Sequence, residues 1–91
     1  MAANWDEAKR QTTLRERGLD FADAALVFAG PRYYTRDDNR RDYGEVRHVT
    51  VGYLFERFVV IVWTGDDDDR CIISMRHGHA REERRYRKYL D

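Results

Sequence analysis

With 91 residues, of which 17 are basic and 17 acidic, the chain has room for a single domain and carries no net charge. A charged fraction of 37% is high, but the apolar run Phe58-Val-Val-Ile-Val-Trp63 supplies core material and argues against disorder. Net neutrality excludes a uniformly basic protein, so a site for a charged partner must be a local patch. We therefore expect one domain over residues 1–91.

The lone cysteine and the first residues bear on the compartment. Cys71 excludes an internal disulfide, and its place in an apolar run predicts a buried side chain. The first residues lack the basic and apolar regions of a secretion signal, and no apolar run approaches the length of a membrane span. We expect a cytoplasmic protein without membrane contact.

A short strand over residues 3–5 and a first helix are predicted at the start of the chain. Asp6 is placed to cap the helix, and Gly18 is placed to end it in a left-handed conformation. The helix is largely polar, with Ala8 and Leu14 as its candidate inward side chains.

A second helix is predicted over residues 20–29, from the capping residue Asp20 to the stop at Gly30-Pro31. Its apolar residues recur at helical spacing and predict one face packed on the core. They are Phe21, Ala24, Ala25 and Phe28.

The rest of the chain reads as strands followed by one helix. Strands are predicted over 32–35, 46–53, 58–64 and 70–76, a polar loop over 36–42, and a helix over 78–90. The short connections between the last three strands favour an antiparallel meander, because parallel neighbours need a long crossover. The predicted fold class is α+β, an antiparallel meander sheet with two N-terminal helices and a C-terminal helix.

Three patterns resemble a metal site or a catalytic nucleophile, but each lacks the residues or the spacing that such a site needs. The acidic run 66–69 lacks the glycine and the later glutamate of a calcium loop, and predicts a turn. His77-Gly-His79 and His48 do not supply four zinc ligands. Ser74 lacks the glycine elbow of a nucleophile. We predict no metal site and no cofactor.

The segment from Arg76 to the C-terminus is the one local basic patch. It holds six cations against three carboxylates, and Arg81, Arg84 and Lys88 share a helix face. Such a face fits phosphate binding, or else is an ordinary solvated face neutralised by Glu82 and Glu83.

Arg76 differs from the helix arginines because it ends an apolar strand, which fixes its position. An arginine held in this way can bind a phosphate through two parallel hydrogen bonds. Arg47 lies in another predicted strand of the same meander, and the two can meet on one anion if the register allows it.

Several motifs then occur in the order and spacing of a known family. They are Asn4-Trp-Asp-Glu-Ala-Lys9, Leu14-Arg-Glu-Arg-Gly-Leu-Asp-Phe21, Ala24-Ala-Leu-Val-Phe28, Gly44-Glu-Val-Arg47 with Val51-Gly52, Arg70-Cys-Ile-Ile-Ser-Met-Arg76, and Ala80-Arg-Glu-Glu-Arg-Arg-Tyr86. Over nearly the whole chain this pattern resembles the BrnT family.

The resemblance implies a toxin of a type II toxin–antitoxin pair with a RelE-like fold. It further implies a metal-independent ribonuclease that arrests translation and is neutralised by a BrnA-like antitoxin. That antitoxin is expected to carry a ribbon-helix-helix DNA-binding domain and to contact operator DNA, so that the toxin reaches the operator only through it.

With this resemblance, roles can be assigned as hypotheses. Arg76 and Arg47 would hold the phosphate, Glu45 would be the base, and His77, which titrates near neutrality, the acid. Lys9 and Arg17 would line the RNA path, together with the helix cations.

The chain also departs from the family pattern. Glu16-Arg17-Gly18 stands where the family usually has Lys-His-Gly, and Met75-Arg-His-Gly78 stands for Ala-Arg-Lys-Ala. An arginine cannot shuttle protons near neutral pH. The alternative interpretation is therefore a weak or inactive module that binds RNA or an antitoxin.

Overall fold

The computed structural model describes residues 2–38 and 46–90. In chain order the elements are β1 (Ala2–Trp5), α1 (Glu7–Arg17), a 3-10 turn (Phe21–Asp23), α2 (Ala24–Ala29), β2 (Tyr33–Asp38), β3 (Arg47–Leu54), β4 (Arg57–Asp66), β5 (Asp69–His77) and α3 (Ala80–Leu90). None of these helices is long and apolar enough to cross a membrane. The fold class is α+β, as predicted.

The five strands form one mixed sheet in the order β1-β5-β4-β3-β2. Neighbouring strands from β2 to β5 pair antiparallel, whereas β1 pairs parallel to β5 with Trp5 opposite Ile72. The prediction of a purely antiparallel sheet is therefore wrong at this edge. Short connections determine only how consecutive strands pair. β1 and β5 are not consecutive, because two helices and the strands β2 to β4 lie between them in the chain.

The ends of α1 follow the predicted chemistry. The Asp6 carboxylate accepts hydrogen bonds from the backbone N–H groups of Ala8 (2.9 Å) and Lys9 (3.3 Å), and Gly18 ends the helix with φ of 69°. No residue of α1 is buried, and Ala8 and Leu14, the predicted inward side chains, are both exposed. A helix that is polar all round has no apolar stripe to bury, and α1 is held by polar contacts instead.

The second helix is shorter than predicted, because its first turn is the 3-10 turn capped by the Asp20 carboxylate. Phe21, Ala24 and Phe28 are buried as expected. Ala25 is exposed, and Val27 packs into the core in its place.

The sheet is covered on both faces. On one face the 3-10 turn and α2 pack against a core that includes Val59, Ile61 and Met75. On the other face α3 packs through Leu90 and Tyr86 against a second cluster. We call these the α2 face and the α3 face. In β5, Ile72 and Met75 both belong to the α2 face, because a register shift opposite Val62 and Trp63 interrupts the alternation of side chains between them.

The start of β5 differs from the expectation for Cys71. Cys71 is exposed, so the prediction of a buried thiol is wrong. Arg70 is only 6% exposed, with its guanidinium 3.8 Å from the ring centre of Phe28 and 4.9 Å from that of Trp63. Alternation places Arg70 on the α2 face, where two rings stack on it, and leaves Cys71 on the opposite side.

The two predicted loops around positions 36–42 and 66–69 have different outcomes. Residues 36–38 of the predicted polar loop belong to β2, and residues 39–42 lie outside the described ranges. The acidic run forms the tight turn that was predicted between β4 and β5. There the Asp66 carboxylate accepts from the backbone N–H groups of Asp68 and Asp69, both at 3.0 Å.

Gly78, between β5 and α3, is a position where only glycine fits. A Cβ atom there would overlap Cδ2 and Cε2 of the buried Phe58 ring. We expect Gly78→Ala to lower the free energy of unfolding by about 1–3 kcal/mol through overpacking. Urea denaturation measures this, with Gly30→Ala as the control. A Cβ at Gly30 meets nothing closer than 3.5 Å, so an equal loss in both variants would contradict the explanation.

Candidate functional site at the open edge of β5

The outer edge of β5 is only partly paired. β1 covers residues 69–72, and within the described part of the chain no strand pairs with this edge beyond Ile72. The C-terminal half of α1 flanks it there. Arg17, in the last turn of α1, donates from Nη1 to the backbone carbonyl of Met75 at 2.9 Å. This contact holds an exposed guanidinium beside the end of β5.

Two adjoining cavities run along this edge and share Arg17. One, of about 400 Å³, lies between α1 and β5. It is lined by Ala8, Lys9, Thr12, Thr13, Arg17, Ile73 and Ser74. The other, of about 250 Å³, contains His77 at the end of β5. Lys9, Arg17 and His77, which were predicted separately, therefore lie along one groove, which we call the β5 groove.

The cavity around His77 adds residues that the sequence interpretation missed. Arg57, which starts β4, and Asp23, from the 3-10 turn, line it together with Arg17. Their spacing along the chain carried no signal, because the residues that line the cavity come from five separate elements. The structure thus adds a cation and a carboxylate to the neighbourhood of His77.

Arg76 lies beside His77 but on the other face of the sheet. In the register, Arg76 pairs with Val60 and His77 with Val59, so their side chains alternate. Val60 belongs to the α3-face cluster and Val59 to the α2-face core. The two residues flank the end of β5 from opposite sides and do not share a cavity.

Arg76 is held by Glu82 of α3. Its Nη1 and Nη2 donate to the two carboxylate oxygens at 2.9 and 2.8 Å, and Nη1 also lies 3.3 Å from the carbonyl oxygen of His77. The hydrogen bonds from Arg76 hold the pKa of Glu82 at about 2, and the same contact raises the pKa of Arg76. Both groups are therefore charged at neutral pH.

Arg47 is distant from this point. It begins β3, and the residue level with Arg76 on that strand is Val51, across Val60 of β4. Four residues along a strand and two strands across give a Cα separation of about 16 Å. Arg47 is half-buried on the α3 face, toward the opposite end of the sheet. Glu45, the predicted base, lies outside the described residues.

The outward face of α3 keeps its positive charge. Glu82 binds Arg76, and Glu83 accepts from the Tyr53 hydroxyl at 2.7 Å and lies 3.8 Å from Arg87. Arg81, Arg84 and Lys88 are exposed, and none forms an ion pair within the described ranges. The alternative prediction was an ordinary solvated face that Glu82 and Glu83 neutralise. These contacts do not fit it, because both acids contact other residues.

The Arg76–Glu82 pair gives a pH dependence to stability. The pKa of Glu82 is about 2 in the folded chain against 4.5 for a free glutamate, so its stabilising contribution is present above pH 4.5. It is lost as the pH falls from about 4.5 to about 2. We expect Glu82→Gln to lower the free energy of unfolding by about 1–2 kcal/mol at pH 7, after allowing for solvent screening, and by less at low pH. Urea denaturation at pH 7 and pH 3 measures it, and an unchanged difference between the two pH values would contradict the assignment.

Among the described residues, no group of three histidine, cysteine or carboxylate side chains is arranged to hold a metal ion. The groups that could meet an anion are instead the cations of the β5 groove and Arg76. They can attract and orient a phosphate through charge-assisted hydrogen bonds.

Comparison with known proteins agrees with the motifs quoted above. No curated protein matches the chain. Residues 5–82 match the family described as the ribonuclease toxin, BrnT, of type II toxin–antitoxin systems. The matched range runs from β1 into α3 and contains the whole β5 groove, Arg76 and Glu82. On this match the chain belongs to the BrnT family of ribonuclease toxins.

Proposed function

We propose that this chain is a metal-independent endoribonuclease that cuts RNA at the end of β5. The observation that carries the proposal is that Lys9, Arg17 and His77 line the β5 groove, while Arg76 flanks the end of β5 from the other face of the sheet. Lys9 and Arg17 are exposed in the β5 groove, where they can follow an RNA backbone. Arg76 and His77 flank the strand end from opposite faces of the sheet, so the proposal requires an RNA chain that passes over this end.

In the proposed reaction the 2′-hydroxyl of the RNA attacks the adjacent phosphorus, and the bond to the 5′ oxygen breaks. Arg76 would stabilise the negative charge that builds on the phosphate oxygens. His77 would give its proton to the departing 5′ oxygen. A base must take the proton from the 2′-hydroxyl, and we retain Glu45 for this role. Asp23 is the carboxylate that the structure adds beside His77.

The helix α3 would extend the contact with RNA. Its exposed cations Arg81, Arg84 and Lys88 continue from Arg76 along one face of the protein. Exposed cations that track a backbone add affinity without sequence preference, and they make binding depend on salt. We place Arg47 in contact with a more distant stretch of the RNA, since it lies toward the opposite end of the sheet.

A type II toxin has an antitoxin partner. We propose that this partner is BrnA-like, with a ribbon-helix-helix domain that binds operator DNA, so that the toxin meets DNA only through it. We further propose that the toxin has a RelE-like fold, acts in the cytoplasm and arrests translation by cleaving RNA.

The test is incubation of the purified protein with single-stranded RNA in excess chelator. We expect cleavage to persist in chelator, with products that end in a 2′,3′-cyclic phosphate or its hydrolysis product. RNA with 2′-O-methyl groups throughout should stay intact, because its 2′ oxygen carries no proton to lose. Loss of cleavage in chelator, restored by Mg²⁺, would overturn the metal-independent mechanism.

A second candidate function is binding without cleavage, and two contacts favour it. Arg17 stands where the family has a histidine and is tied to the Met75 carbonyl, so it cannot carry protons. Arg76 is already paired with Glu82. A protein that shifts 2′-O-methyl RNA in a gel but cuts no RNA at any concentration would support this function.

A further inference from the structure

Glu82 makes a contact whose geometry goes beyond simple charge pairing. It meets Arg76 end-on, with one oxygen 2.9 Å from Nη1 and the other 2.8 Å from Nη2. Two parallel hydrogen bonds fix the plane and the direction of a guanidinium, which a single bond cannot do. Arg76 therefore has one defined orientation at the end of β5.

The end-on contact leaves another edge of the guanidinium available. An arginine has five N–H groups: two on each Nη and one on Nε. Glu82 takes one from Nη1 and one from Nη2, and the second Nη1 group faces the His77 carbonyl at 3.3 Å. The remaining two, on Nε and Nη2, lie on the same side and form a donor pair. Within residues 2–38 and 46–90 no acceptor is bound to Arg76 Nε.

The solvent exposure of the two side chains agrees with this assignment of the Arg76 donors. The Arg76 side chain is 40% exposed, whereas that of Glu82 is 22% exposed. The carboxylate is thus the inner member of the pair, and the guanidinium is the outer member that solvent reaches. A ligand that approaches from solvent meets Arg76 before it meets Glu82.

Glu82 is itself fixed by the start of α3. Its Oε1 also accepts from the backbone N–H of His79 at 2.9 Å, and the Glu83 N–H donates to the His79 carbonyl at 2.9 Å. The first contact is one half of a helix capping box, in which a glutamate in the first turn accepts from the backbone N–H of the residue three positions before it, and the second is the first backbone hydrogen bond of the helix. The helix is anchored in turn by Leu90 and Tyr86 on the α3 face. The orientation of Arg76 is therefore set by a packed helix rather than by a free side chain.

We propose that Glu82 is the positioning residue of Arg76: it holds the guanidinium end-on so that the Nε–Nη2 edge faces solvent, ready to bind one RNA phosphate bidentately. This rests on the proposed function, in which Arg76 meets the phosphate. The opposite role is a latch, in which Glu82 occupies the guanidinium and keeps the phosphate away. The two roles predict opposite effects of removing the carboxylate.

The orientation can be tested without any RNA. Nitrogen-15 NMR of the free protein should show resolved Nη–H signals for Arg76, because the two hydrogen bonds slow rotation of the guanidinium. Glu82→Gln should merge them. Glu83→Gln is the matched control on the same helix, since Glu83 contacts Tyr53 and Arg87, and it should leave them resolved. Arg76 signals that are equally resolved in Glu82→Gln would overturn the positioning role.

RNA cleavage then tests the consequence. We expect Glu82→Gln to lower kcat/KM by about tenfold to a hundredfold, from the loss of orientation. Glu83→Gln should match the parent. Circular dichroism at the assay temperature shows whether each variant is folded. A rise in kcat/KM in Glu82→Gln would establish the latch and overturn the proposal.

A double-mutant cycle separates a role through Arg76 from a structural role in α3. If Glu82 acts by orienting Arg76, Glu82→Gln should cause no further loss in the Arg76→Ala background. An equal loss in both backgrounds would show that Glu82 acts only as a helix cap. A parent that cuts no RNA would refute the proposed function, and the NMR result would still decide whether Glu82 orients Arg76.

Discussion

Replacement of Arg76 by alanine is expected to lower kcat/KM for RNA cleavage by about two to three powers of ten, the effect typical of losing a group that stabilises transition-state charge. Growth arrest in cells that express the variant should disappear with it. The reason is positional, since Arg76 is the next-to-last residue of β5, forms two hydrogen bonds with Glu82 and is 40% exposed. The flexible cations of α3 cannot take over this geometry.

The fold should survive this change. Arg76 is 40% exposed and contributes no apolar core, and Glu82 keeps its hydrogen bond from the His79 N–H. We expect a loss of about 1 kcal/mol in the free energy of unfolding. Circular dichroism and urea denaturation check this, so that lost activity is not mistaken for lost structure.

Two further variants sharpen the test. Arg76→Lys keeps the charge but not the fork of donors, and it should recover only a small part of the activity. Arg15→Ala removes an exposed α1 cation that does not line the β5 groove, and should leave kcat unchanged. If Arg76→Ala cuts RNA as fast as the parent, the proposed role of Arg76 fails.

Much of the fold could be predicted from the sequence, because the residues that indicate each element lie within or next to that element. The Asp6 cap, the left-handed Gly18 and the apolar run of β4 each act within a few residues, and each is found where it was predicted. The partner of β1 is not local. Asn4 donates a hydrogen bond to Asp69, 65 residues away. The four residues of β1 do not by themselves indicate which edge of the sheet they will pair with.

The neighbours Arg70 and Cys71 show a second limit. Hydrophobicity predicts that cysteine is buried and arginine exposed, but the pleat of β5 assigns the faces. The energy of stacking a guanidinium on Phe28 and Trp63 depends on where those rings lie, which only the tertiary structure reveals.

The same limit applies to the candidate site. Arg76 and His77 are adjacent in sequence and were interpreted as one reactive point, although the pleat places them on opposite faces. Arg17 and His77 are far apart in sequence, yet they line one cavity, because Arg17 reaches the Met75 carbonyl across 58 residues. The sequence therefore indicated the types of residue at the candidate site, but not which of them lie together in the fold.

Removal of the His77 imidazole is the second large effect that we expect. His77→Gln should lower kcat by about two to four powers of ten if the side chain is the general acid. An acid must supply its proton as the 5′ oxygen departs. Glutamine is close to histidine in size and polarity but cannot supply that proton, so His77→Gln tests proton donation.

His79→Gln is the matched control for this change. His79 is also exposed and lies two residues away, at the start of α3, but its side chain does not line the cavity around His77. The control should keep the rate of the parent. If His77→Gln also keeps that rate, another group supplies the proton, and Arg17 cannot be that group because a guanidinium stays charged.

The result also bears on Arg17, which stands where the resemblance to the family implies a histidine. Arg17 and His77 line the same cavity, so a histidine at either position would place an imidazole in it. We expect Arg17→His to restore part of the rate in the His77→Gln background, because the cavity rather than one sequence position would define the acid. A double variant that stays inactive would mean that the proton must come from the His77 side of the cavity.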